Sequence, residues 1–153
     1  MQNQALVEVL NDLIEVCKDG EYSFTQSANQ ALADELKAVL HRRAADYRVA
    51  AHALQDLVRI HGGRAYTGGT LSGALYRAWV GGRSILLGQS EDRVILQERE
   101  RGEAKAKEKY AQALMLPLPD SVQLIVQRQY EGLLENYVDI ATLCDRYRSR
   151  AES

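Results

Sequence analysis

Two glutamates stand where the spacing of this chain calls for apolar residues. Glu21 falls between Cys17 and Phe24 on the greasy stripe of the first helical segment, and Glu103 falls similarly in the fourth. A carboxylate that faces the interior of a helix bundle must be paired or bound, because an isolated buried charge is too costly to keep. Glu21 and Glu103 are therefore the candidate metal ligands. The inward faces also carry Arg43 and Arg99. A guanidinium beside a carboxylate satisfies it through charge-assisted hydrogen bonds. A buried cluster of Glu21, Glu103, Arg43 and Arg99 is thus the competing expectation, and it needs no metal and no cofactor.

Other chemistry is weakly represented. His41 and His52 fall on the polar side of the second helix at ~100° per residue, and His61 lies at its end beside Gly62. Cys17 and Cys144 have no C-x-x-C partner and no inward histidine near them in the pattern, so neither reads as a thiolate nucleophile. The stretch G-G-R-A-Y-T-G-G-T at 62–70 lacks the G-K-[ST] of a phosphate loop and reads as a loop. The run E-R-E-R-G-E-A-K-A-K-E-K at 98–109 mixes both charges at i,i+4 spacing, the pattern of a solvated helix face. Tyr47, Tyr110 and Tyr137 face inward, and their hydroxyls are expected to reach the polar cluster.

These residues must be positioned by helices. Leu6, Val9, Leu10, Leu13, Ile14, Cys17, Phe24 and Ala28 recur at spacings of three and four, which marks an amphipathic helix. Gly20 weakens that helix by ~1 kcal/mol relative to Ala without ending it. A second helix carries Leu36, Leu40, Tyr47, Ala51, Leu54 and Val58, with Ser27 or Asp34 as possible caps and Gly62-Gly63 as its stop. Thr70 can cap a weaker segment reaching Leu87 that includes Leu71, Leu75, Trp79 and Leu86, and Trp79 is expected to pack over the outer groove. Ser90 is the expected cap of a long helix with Glu91 and Asp92 in its first turn. M-L-P-L-P-D breaks it, and a last helix is expected from about Ser121 to Arg148. The turns at 29–33 and 116–120 are short and the middle connection is long. A long, partly helical crossover lets helices two and three run parallel, as in a ferritin-like four-helix bundle. No alternating strand pattern competes.

Composition agrees with one all-α domain over residues 1–153. Lys plus Arg number 19 against 21 for Asp plus Glu, a balance that argues against a broad nucleic-acid surface. No stretch approaches the ~18 apolar residues of a membrane span, no helix has the basic face of a lipid-surface binder, and two unpaired cysteines suit a reducing cytoplasm.

The segments L-N-D-L-I-E-V-C-K-D-G-E-Y at 10–22, D-E-L-K-A-V-L at 34–40, S-G-A-L-Y-R-A-W at 72–79, E-R-G-E at 100–103 and R-Q-Y-E-G at 128–132 together resemble a small bacterial family of uncharacterised ferritin-like four-helix-bundle proteins. The resemblance implies a fold and no assigned reaction. Di-iron members of the wider superfamily use a Glu from each of two helices and Glu-x-x-His from the other two. Glu21 matches the first-helix carboxylate in position, and Glu103 the third. Asp46 in helix two is followed three residues later by Val49 rather than His, and in helix four Glu131 and Glu135 point away while Gln129, Asn136 and Tyr137 point in. The expectation is a homo-oligomeric binding or structural module, not an enzyme, with a degenerate metal site and a partner the sequence leaves open. The alternative is an iron- or manganese-binding protein using Glu21 and Glu103 in stress response or iron handling.

Overall fold

The computed structural model describes residues 1–68 and 91–152. Four helices, α1 (Asn3–Gln30), α2 (Asp34–Ile60), α3 (Asp92–Leu114) and α4 (Asp120–Glu152), form an all-α four-helix bundle. The segment expected from Thr70 to Leu87, with Trp79, lies outside the described residues, as does Ser90. α1 and α2 bury the stripes their spacing foretold, and α3 and α4 bury apolar faces of their own. Leu6, Leu10 and Leu13 of α1, Leu36, Leu40 and Leu54 of α2, Leu96 of α3, and Val122, Val126 and Ile140 of α4 share one core. Burial of each such side chain is favourable by roughly 1.5–3 kcal/mol.

The helix ends differ from the sequence reading at the starts. Ala33 stands at the cap position of α2 with Asp34 inside the first turn; Ser27 is buried within α1. Neither of the two expected caps is used, and α2 starts without a side-chain cap bond; a carboxylate from another helix instead holds the turn that leads into it. Asp92, at the start of α3, accepts the backbone N–H groups of Leu32 at 2.8 Å and Ala33 at 3.0 Å. Glu91 occupies the cap of α3, with extended backbone and no side-chain cap bond. At the other end of α2 the foreseen stop holds. Gly62 has φ +76°, and the N–H groups of Gly62 and Gly63 bond to the carbonyls of Arg59 and Val58, a Schellman closure that needs a left-handed residue. Removing the Asp92 carboxylate by Asp92→Ala should cost about 1–2 kcal/mol, because two amides of the α1–α2 turn lose their charged acceptor. Urea unfolding measures it, and an unchanged midpoint would contradict the role.

Topology follows from the cross-helix contacts. Asp92 lies against Ala33 and Glu103 against Arg43 and Tyr47, so α2 and α3 run parallel. Cys17 of α1 meets Tyr110 while Phe24 lies by Arg99, so α1 and α3 are antiparallel. The pairs α1–α2 and α3–α4 pack closely, whereas the α1–α3 and α2–α4 seams are sparser. Residues 63–68 climb back along α1 in extended form. Gly63 lies beside Val7, Gly68 beside Lys18, and Asn11 grips the backbone between them through Arg64 O and Tyr66 N–H. Eleven helical residues rise about 16 Å, which five residues cover only when extended at ~3.3 Å each. Gln55 Nε2 donates to Tyr66 O from the α2 side.

Gly20 shows why its helix tolerates a poor helix former. A Cβ there would lie 2.6 Å from Cε2 of the buried Tyr47 ring. Overpacking of this kind costs ~1–3 kcal/mol, against ~1 kcal/mol gained in helix propensity. Gly20→Ala is therefore expected to destabilise rather than stabilise. A gain in denaturation midpoint would show that the ring yields freely.

Candidate functional site

Glu103 is 1% exposed and Arg43 7%, and the charge of each is compensated by the other. Arg43 Nε donates to Glu103 Oε2 at 3.0 Å, and the Tyr47 hydroxyl donates to Glu103 Oε1. Arg43 and Tyr47 are four residues apart on α2, one turn, so the same helix face presents both to α3. The Arg43 guanidinium carbon also lies 4.0 Å from the Tyr47 ring centroid, a cation–π contact in a desolvated place. Burial pushes the Glu103 carboxyl above its usual value, while the charge of Arg43 and the Tyr47 hydrogen bond pull the other way. Burial, then the Glu103 charge, drives the Tyr47 phenol well up, so it stays a donor.

A second chain of polar groups runs from α1 through α3 and α4 to the backbone of α2. The Cys17 thiol and Tyr110 hydroxyl are 3.2 Å apart, Tyr110 donates to Gln129 Oε1 at 2.7 Å, and Gln129 Nε2 donates to the Ala50 carbonyl at 3.3 Å. Burial pushes Cys17 up to about 11, with the Tyr110 hydrogen bond opposing it. A buried neutral thiol of that acidity is inert at neutral pH. Both cysteines are free and buried, as their stripe positions required. A cleft of about 250 Å³ between α2 and α4 reaches this network, lined among others by Arg43, Tyr47, Tyr110 and Gln129.

The four charged residues singled out by sequence are placed differently. Arg43 and Glu103 are in direct contact. The Arg99 guanidinium carbon is 5.6 Å from the Phe24 ring centroid, and its charge acts on Glu103 less strongly than that of Arg43. Glu21 is half-buried; its backbone carbonyl accepts the Thr25 hydroxyl, and among the described residues its carboxylate forms no ion pair with Arg43 or Arg99. Gly20 and Phe24 of α1 both lie against Tyr47 of α2, and Glu21 stands one residue to the side of Gly20. His41 and His52 are exposed and His61 is half-buried at the end of α2, as the periodicity placed them. Of the three inward tyrosines, Tyr47 and Tyr110 join the polar network, while Tyr137 is half-buried beneath Lys107 Nζ, 4.3 Å from its ring centroid. Among the described residues no group of three or more His, Cys, Asp or Glu side chains is arranged to hold a metal ion. The Cys17–Tyr110 pairing and the Asn11 and Gln55 grips escaped the sequence reading. The Cys17–Tyr110 and Asn11 contacts join segments far apart in the chain, and the Gln55 grip depends on how the chain turns back after α2.

Fold and site together define a helical bundle whose interior carboxylate is held by an arginine and a tyrosine. The chain belongs to the family described as a domain of unknown function (DUF2383), whose profile matches residues 5–116. That span covers α1 to α3 and therefore Arg43, Tyr47, Glu103 and Tyr110. No curated protein matches the chain.

Proposed function

We propose that this protein is a ferritin-like bundle in which the Arg43–Glu103–Tyr47 cluster stands in place of a metal centre, and that it works as a non-catalytic binding or structural module. One observation carries the reading. Both oxygens of the buried Glu103 carboxylate are engaged by protein groups, so a cation entering there would have to displace a guanidinium. The parallel course of α2 and α3 supports the ferritin-like assignment. Two unpaired buried thiols support a reducing, cytoplasmic setting, and a bacterial source is in keeping with the sequence resemblance. Exposed Val49, Ile60, Met115, Leu124 and Val138 support assembly into a homo-oligomer.

Thermal unfolding of the wild type and of Glu21→Gln, each with and without Fe(II), Mn(II) or Zn(II), tests the reading. Little change in wild-type melting with any of the ions is expected. A ligand that binds only the native state raises its melting temperature. A metal-dependent rise lost in Glu21→Gln would overturn the proposal and make Glu21 and Glu103 ligands of an iron- or manganese-binding protein.

A further inference from the structure

The sparse seam between α1 and α3 leaves a groove of about 570 Å³. Its floor is apolar: Val9, Leu13 and Val16 from α1, Ala113 from α3 and Leu116 from the turn that follows α3. Leu13 and Ala113 are buried, Val9 and Val16 half-buried, and Leu116 exposed, so apolar surface continues from the core to solvent. Asp12, Glu15 and Asp19 stand along the α1 edge, while Lys109 is the cation on the α3 edge. Asp12 and Glu15 are exposed and lie three residues apart, on one side of the helix. From Val9 to Asp19 the groove follows ten residues of α1, about 15 Å or some three helical turns.

We propose that this groove receives a cationic amphipathic helix of a partner protein. An apolar floor of three turns matches anchors spaced i, i+3 or i+4, and i+7 on a docked helix. The exposed carboxylates of Asp12 and Glu15 facing the one Lys109 ammonium leave the rim net negative, so Lys or Arg beside those anchors is attracted and an acidic helix is repelled. The occupant is defined by the floor and the rim together; the carboxylates alone would specify nothing. Docking covers Val9, Val16 and Leu116, the apolar surface that the α1–α3 seam leaves uncovered. The inference goes beyond the metal-free reading and is independent of it, since the groove shares no residue with the Arg43–Glu103–Tyr47 cluster.

The test uses a fluorescein-labelled 18-residue helical peptide with Leu at i, i+3, i+4 and i+7 positions and Lys elsewhere. Its controls are a scrambled peptide of the same composition and one with Glu in place of Lys. Anisotropy titration of the full-length protein should show saturable binding of the first peptide only. Asp12→Lys/Glu15→Lys reverses two exposed rim charges, and circular dichroism is expected to show its fold and melting nearly unchanged. Its affinity should fall about tenfold or more, the effect of turning rim attraction into repulsion. Leu116→Ser, at an exposed position of the floor, should weaken binding without changing its salt dependence. Equal binding of the scrambled peptide, an affinity indifferent to charge reversal, or no binding at all would overturn the proposal. So would sedimentation showing a dimer that Asp12→Lys/Glu15→Lys dissociates, because a second copy of the chain would then be the occupant. Metal-dependent melting reports on the interior cluster alone, so the failure of either reading is seen separately.

Discussion

Arg43→Met is expected to lower the unfolding free energy by about 3–5 kcal/mol, the cost of leaving a buried charge without its partner. For a chain of this size each kcal/mol moves the melting temperature by about 2–4 °C, so the variant should melt roughly 10 °C lower. The large effect comes from what remains behind. Glu103 would keep the Tyr47 hydrogen bond but lose the only cation within ion-pairing distance of it in the described structure. Arg43→Met/Glu103→Gln removes both charges while leaving an acceptor for the Tyr47 hydroxyl, and should recover most of the loss. Arg99→Met should disturb Glu103 less than Arg43→Met does, because the charge of Arg99 acts on that carboxylate less strongly than that of Arg43. Urea titrations of the three variants decide the matter. A double variant as unstable as Arg43→Met would mean that packing of the arginine stem, rather than the charge pair, holds this part of the core together.

Stability should fall steeply as pH rises above about 9. Cys17 has its ordinary value at 9.0 and is pushed up to about 11 in the folded protein by burial. The unfolded chain therefore releases this proton first as pH rises. The contribution is fully present below pH 9 and is lost on the way through pH 11, and two units at 1.36 kcal/mol each make it about 2–3 kcal/mol. Tyr47 and Tyr110 are also raised well above 10.0, first by burial and then by the neighbouring Glu103 and Cys17 charges respectively. Their contributions are lost in the same direction, starting near pH 10. Urea midpoints from pH 8 to pH 10.5 should drop for the wild type, and Cys17→Ala should flatten the part between pH 9 and pH 10. A wild-type midpoint constant across that range would show that the three hydroxyl and thiol groups ionise within the folded bundle.

The helices, their inward faces and the crossover topology were legible in the sequence because each depends on local periodicity or on loop length. Spacings of three and four fix which side of a helix is apolar, and two short turns against one long connection leave few ways to connect four helices. Glu103, Arg43, Tyr47 and Tyr110 all fall within those stripes, so their burial followed from position alone. What the stripes leave open is the partner of each polar group. Arg43 rather than Arg99 meets Glu103 because α2 and α3 lie parallel in one axial register, pinned where Asp92 receives the amides of Leu32 and Ala33. Glu21 illustrates the limit at the stripe's edge. A residue 100° from its neighbour can stand inside or beside a contact line, and here the close approach of Gly20 to Tyr47 sets that line one residue away. Sequence by itself determined that a carboxylate on these inward stripes must be paired or bound. Only tertiary packing decided its partners, because axial register and helix rotation are properties of pairs of segments far apart in the chain.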